Sequence, residues 1–396
     1  MDPAMAIEVA AMSQSRAVEE ATVRGDSDIQ KFYRNSTVFI TGGSGFMGKQ
    51  MIEKLFRSFV HVSTAYSCAI PSLIKKEVYE RFYKSPIPPE TLISMAEDMD
   101  VDSLIQDWPN TYTFTKAVAE ELFSEYTSEL TNFTFPVISS YREPSPGWLD
   151  VLLGIMLGVL HVSQSNSDTR IGLVPCDYVN NTIISAGKEA SHSLGGERTS
   201  IYVVSSVMRN HITQASDAYC NVARIGRNDK KNSRIKIKGT LTSLLNGLRN
   251  MVSPKAIYYN FSVETSNKSV FLILSWLIHL IPAYVVDFVF VKIAKKVYNI
   301  SIALSYFTLN HWLFVDENLE GLHKSLSETD KIIFNFDLTN IDWTEYIPIW
   351  VIGTRKYLLK DGLKGTEYAI RKQYWLKMLH YVVSIVFLYC LWKLLS

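Results

Sequence analysis

The sequence predicts an α/β fold, a parallel sheet wound on both faces by helices and followed by a helical module, and three observations carry that expectation. Val38, Phe39 and Ile40 form a short β-branched and aromatic run of the kind buried on both faces of a parallel sheet. Gly42, Gly45 and Gly48 follow, and Met51, Ile52, Leu55 and Phe56 then recur at helical spacing, so the glycines lie between a strand and a helix. A second apolar run over residues 59–64 ends in Ser63 and Thr64, and open parallel sheets hold their ligands outside such carboxyl ends.

Size and charge allow this architecture and narrow the partners. With 396 residues, 47% hydrophobic and 20% charged, the chain is long enough for two domains with cores. A formal charge of +1 and no basic stripe on the motifs argue against a nucleic-acid partner. Cys68, Cys176, Cys220 and Cys390 are scattered without metal or disulfide spacing, so no metal is expected and a reducing compartment suits them. Residues 1–26 are small, polar and acidic, lack the basic leader of a signal peptide, and are expected to be disordered. Ser27 then opens a capped helical turn at the start of a domain expected over residues 27–220.

The glycine loop, Thr41-Gly42-Gly43-Ser44-Gly45-Phe46-Met47-Gly48, has the chemistry of a pyrophosphate cradle. Gly42 permits the tight turn, Gly45 lets backbone N–H groups approach the phosphates, Gly48 lets helix pack on strand, and the helix N-terminus faces the negative charge. This makes the fold a Rossmann-type doubly wound sheet. The loop's spacing resembles the extended short-chain dehydrogenase/reductase family, which needs a tyrosine and a lysine four residues apart. Tyr112 and Lys116 supply them, one above the other on a single helix face. A cation beside a phenol favours the phenolate, which readies Tyr112 to exchange a proton. Thr64, with Ser63 as second candidate, is placed to hydrogen-bond a substrate carbonyl and the Tyr112 hydroxyl.

From Asp28 onward the likeness narrows. Asp28-Ile-Gln-Lys-Phe-Tyr33, the glycine loop, His61-Val-Ser-Thr-Ala-Tyr66, Asn110-Thr-Tyr-Thr-Phe-Thr-Lys116, Arg142-Glu-Pro-Ser-Pro-Gly-Trp148 and Leu173-Val-Pro-Cys-Asp-Tyr-Val179 carry it. So do His279-Leu-Ile-Pro-Ala-Tyr284, Ser305-Tyr-Phe-Thr308 and Phe334-Asn-Phe-Asp337. Together they resemble the insect-type fatty acyl-CoA reductases. The resemblance implies reduction of a long-chain acyl-CoA thioester to a primary alcohol at the expense of two NADPH, with Thr64 and Tyr112 holding the carbonyl and Lys116 binding the nicotinamide ribose. It also implies a departure, because residues 49–58 run straight into the strand at Phe59. About three βα units of the central sheet are missing, among them the strand end that contacts the adenosine ribose. A membrane-bound remnant or splice form unable to hold cofactor is the competing reading. A sterol dehydrogenase or sugar epimerase of the same superfamily fits the first 180 residues but not residues 271–336.

In the C-terminal half, residues 221–255 read as a basic linker and 256–365 as the helical C-terminal domain of this family. Residues 270–291 are long and apolar, but Pro282 and Asp287 make them a helix-break-helix on a membrane surface rather than a span. Ser327 and Asp330 form a capping box. Residues 376–396 are expected to be a transmembrane tail. Arg371, Lys372 and Lys377 upstream would keep the catalytic domain on the cytoplasmic side of the endoplasmic reticulum or peroxisome. The expected partners are thus an acyl-CoA and membrane lipid, with oligomeric state left open.

Overall fold

The computed structural model describes residues 2–13, 16–34, 61–85, 87–95, 100–105, 107–129, 137–140, 154, 156–166, 168–192, 200–213, 253–259, 261, 263–281, 284 and 288–395. The glycine loop, with the strand and helix expected around it, lies outside them, as do residues 141–153 and most of the basic linker. At the centre is a three-stranded parallel sheet in the order β1 (His61–Thr64), β3 (Val137–Ser140), β6 (Ile201–Val204). Its register sets Thr64 opposite Ser140 and Ser140 opposite Val204, so the three carboxyl ends lie level. All four residues of β6 are buried, as a strand covered on both faces requires.

Helices flank the sheet. The chain places α1 (Pro3–Ser13), α2 (Arg16–Arg24) and α3 (Asp28–Tyr33) before β1, and α4 (Pro89–Met95), α5 (Val101–Ile105) and α6 (Thr111–Glu129) before β3. Next, α7 (Cys176–His192) leads to β6. Three outlying strand pairs complete the strands: β2 (Glu77–Val78) with β9 (Leu313–Phe314), β4 (Val162–Gln164) with β8 (Val263–Thr265), and β5 (Arg170–Ile171) with β7 (Ile212–Thr213). The C-terminal helices are α8 (Lys268–Ser275), continued by a π-turn at Trp276–Leu280, then α9 (Phe288–Leu309), α10 (Glu317–Ser325), α11 (Glu328–Ile333), α12 (Trp343–Gly353) and α13 (Thr366–Leu395).

In the stretch expected to be disordered, Pro3–Ser13 and Arg16–Arg24 form α1 and α2. Thr366 donates from both its N–H and its hydroxyl to the Asp2 carboxylate and Lys356 pairs with Glu8, so α1 is held by partners more than 300 residues away, while Ala4 and Ala21 are fully buried. Among the described residues no helix is long and apolar enough to cross a membrane.

The expected boundary between residues 27–220 and 256–365 also runs through shared cores. Ile29, Ile183, Ile184 and Val204 pack with Leu319, Leu322 and Phe336, while Tyr66, Val78 and Val203 pack with Phe307, Trp312 and Phe314. A three-stranded sheet cannot cover its own faces, and the C-terminal helices do it.

Candidate active site

The site is built where β1 ends and α6 begins. Ser63 and Thr64 are delivered at the carboxyl end of β1, both buried. Thr64 Oγ1 accepts the Tyr66 N–H at 3.3 Å and so caps the 3₁₀ turn Ala65–Cys68. Ser63 Oγ donates to Glu120 Oε1. Ser205 and Ser206, fully buried, follow just beyond β6.

Helix α6 starts because Asn110 caps it: its Oδ1 accepts the Thr113 N–H at 2.9 Å and its carbonyl accepts the Phe114 N–H at 3.2 Å. The apolar period then fixes its rotation. Phe114, Ala117 and Val118 are buried with Ile87, Leu104 and Trp108, and Trp108 donates its indole N–H to the Ser67 carbonyl at 2.9 Å. With that face inward, Tyr112 stands 42% exposed and Lys116 half-buried one turn further on. Among the described residues Lys116 forms no salt bridge.

One turn beyond Lys116 stands Glu120, which sequence reasoning passed over. It is 6% exposed, and burial pushes its carboxyl up to about 7 against the opposing influence of the Ser63 and Ser67 hydroxyls and the Lys116 charge. A carboxyl in the apolar period of α6 was the available signal. Cys68, buried beside it, has its thiol pushed up to about 12, first by burial and then by Glu120, so it is inert. Glu120, Ser67 and Cys68 line a small cleft together with Tyr79, Tyr83 and Phe314. Thr41, Gly42, Gly43, Ser44, Gly45, Phe46, Met47 and Gly48 lie outside the described residues. Of the expected site residues, then, the structure brings Ser63 and Thr64 to the sheet end that α6, carrying Tyr112 and Lys116, packs against.

A parallel sheet with a Tyr-x-x-x-Lys helix beside its carboxyl edge defines a Rossmann-like NAD-binding domain, and comparison with known proteins agrees. Two family models, both described as male sterility protein, match residues 56–183 and 278–361, the first being a NAD-binding model. The chain is similar to fatty acyl-CoA reductase wat of Drosophila melanogaster, 28% identical over 368 residues, covering 86% of this chain and 65% of that protein. Fatty acyl-CoA reductase 1 of Xenopus laevis is 27% identical over 371 residues, 87% of this chain and 66% of that protein. Fatty acyl-CoA reductase 2 of Homo sapiens is 27% identical over 405 residues, 95% and 72%. These matches support a fatty acyl-CoA reductase, and the chain spans just under two thirds of the length of the first two relatives.

Proposed function

We propose that this chain reduces a long-chain fatty acyl-CoA to the primary alcohol with NADPH. The observation that carries the reading is the exposed Tyr112 one turn from Lys116, on the helix that packs against the Ser63–Thr64 strand end. When bound, NADPH supplies hydride to the carbonyl carbon. Tyr112 gives the proton to the oxygen, Lys116 steadies the phenolic group and offers donors to ribose hydroxyls, and Thr64 orients the carbonyl. A cofactor-free remnant is the less favoured reading, since the likeness to reductases extends over most of the chain.

The same reading places the protein on the cytoplasmic face of the endoplasmic reticulum or peroxisome, attached to the lipid surface rather than spanning it. Val270, Ile273, Trp276, Leu277 and Ile281 form an exposed apolar stripe on α8 and its π-turn, and α13 is exposed and apolar beyond its second turn. Both suit interfacial burial.

The test is detergent-solubilised full-length protein with NADPH and a series of acyl-CoA chain lengths, the alcohol followed by gas chromatography. Tyr112→Phe is expected to lower the rate about 100-fold or more, because a positioned acid contributes at least that. Loss of less than about tenfold would remove Tyr112 from the acid's role.

A further inference from the structure

Four basic side chains away from Tyr112, those of Lys75, Arg170, His211 and His311, are brought to one place by backbone contacts. The Lys75 N–H donates to the His311 carbonyl at 2.8 Å and the Leu313 N–H to the Lys76 carbonyl at 3.0 Å, so these two segments run together into the β2–β9 pair. The Asn166 N–H donates to the Thr308 carbonyl at 3.2 Å, which ties the turn before β5 to the end of α9, three residues from His311. In the β5–β7 pair Arg170 stands opposite Thr213, so His211 is its diagonal neighbour on the same face. The next position of that register sets Gly172 opposite His211, and no side chain comes between. Burial first, then the charges of Arg170, Lys75 and His211, hold the His311 imidazole below its usual range. Among the described residues none of the four joins a salt bridge. Of the carboxylates near them in sequence, Asp168 is exposed, Glu77 accepts the Tyr79 hydroxyl and Asp316 pairs with Arg209. The cluster is fixed to the turn that leaves the Ser63–Thr64 strand end: Trp312, next to His311, meets Tyr66 edge-on at 5.6 Å, and the Tyr306 hydroxyl donates to the Ala69 carbonyl at 3.1 Å.

We propose that Lys75, Arg170, His211 and His311 form the subsite for the phosphates of the CoA moiety, with the thioester at Tyr112. The identity of the ligand rests on the reductase reading, whereas the cluster itself belongs to the described residues. Like charges gathered without a counter-charge repel one another, and an anion relieves them. Arg170 offers a planar pair of N–H donors to a phosphate, Lys75 a compact ammonium, and the two imidazoles N–H donors that gain full charge when an anion arrives. Lys75 and His211 are exposed and Arg170 and His311 half-buried, so the group is open to a ligand yet partly shielded from screening. CoA carries its phosphates at the far end of the pantetheine arm from the thioester, which suits a cluster apart from Tyr112. The phosphates of NADPH are assigned to the glycine loop. None of the four lies on α8 or α13, the helices whose exposed apolar residues suit a lipid surface.

Calorimetric titration of the detergent-solubilised protein with CoA tests the subsite without any turnover. Arg170→Gln and, separately, the exposed Lys75→Gln are expected to bind CoA about tenfold more weakly than wild type, since each removes a charge-assisted hydrogen bond. In turnover the same variants should raise KM for acyl-CoA by about tenfold with little change in kcat, because the lost contact is uniform binding. Their KM for an acyl-pantetheine thioester, which lacks the phosphates, should match wild type. CoA affinity unchanged in both variants overturns the subsite, as does a wild type that binds no CoA. Equal losses with acyl-CoA and acyl-pantetheine overturn it in favour of a structural role. Inorganic phosphate that displaces CoA at equal concentration overturns it in favour of a free-phosphate site. Variants that keep CoA but no longer float with phosphatidylserine vesicles overturn it in favour of a lipid headgroup. Wild type that binds CoA through these residues yet reduces no acyl-CoA sinks the reductase reading and leaves the subsite standing.

Discussion

Helices α6 and α13 are both rich in apolar residues, and the molecule treats them in opposite ways. In α6 the apolar residues of the first turns have counterparts: Phe114 meets Trp108 edge-on at 6.2 Å, and Ala117 and Val118 close the same cluster. In α13 that holds only for the first two turns. Thr366, Ala369 and Gln373 are buried, Gln373 donates to the Tyr258 carbonyl at 3.0 Å, and the Tyr258 hydroxyl meets His380 Nδ1 at 3.1 Å. Beyond them Trp375 is 71% exposed and Val383 53%, with Leu379, Val382, Ile385, Val386 and Tyr389 equally open around the circumference. A helix that is apolar all round belongs inside something. For α6 that something is this chain, whereas for α13 none of the described residues provides it.

The difference can be broken or sharpened at several points. Phe114→Ala should cost the most, about 3–5 kcal/mol for an aromatic removed from a closed cluster. Urea unfolding followed by circular dichroism measures it, and a loss near zero would mean that α6 is held by something else. Next comes Glu120, whose folded carboxyl lies at about 7 against an ordinary 4.5. Such a raised group contributes its full stability below about pH 4.5 and loses it as pH climbs through about 7, a change of roughly 3 kcal/mol. Glu120→Gln removes that dependence, so its stability relative to wild type should improve from about pH 5 to pH 8, and parallel curves would contradict the burial.

Smaller effects belong to α13. Tyr258→Phe should cost about 1 kcal/mol and speed hydrogen exchange in the turn around His380, since one hydrogen bond is lost. Unchanged exchange there would place the anchor elsewhere. Val383→Asp should leave stability within about 0.5 kcal/mol, because the side chain touches solvent already. Its flotation with phospholipid vesicles should nevertheless fall well below wild type. Equal flotation would detach α13 from the lipid surface.

What could be read beforehand follows the same division. Local chemistry was legible: the Ser27 cap on α3, the Ser327 cap that accepts the Asp330 N–H, the delivery of Ser63 and Thr64 at a strand end, and the shared face of Tyr112 and Lys116. Features decided by distant neighbours were not. Nothing in residues 3–24 announces that Asp2 will receive Thr366 or that Lys356 will pair with Glu8, so a polar leader and two docked helices look alike in sequence. Glu120 escaped notice because its meaning depends on Ser63 and Ser67, which only the packing of α6 on β1 brings to it.

The tie between Asp2 and Thr366 also governs when the protein can be finished. The two residues are 364 positions apart, and Ser27 waits 303 positions for Asp330. At a synthesis rate of about 5–20 residues per second, α1 emerges roughly 20–70 s before its docking surface exists. Asp2 and Ser27 therefore meet Thr366 and Asp330 only after those residues have been made.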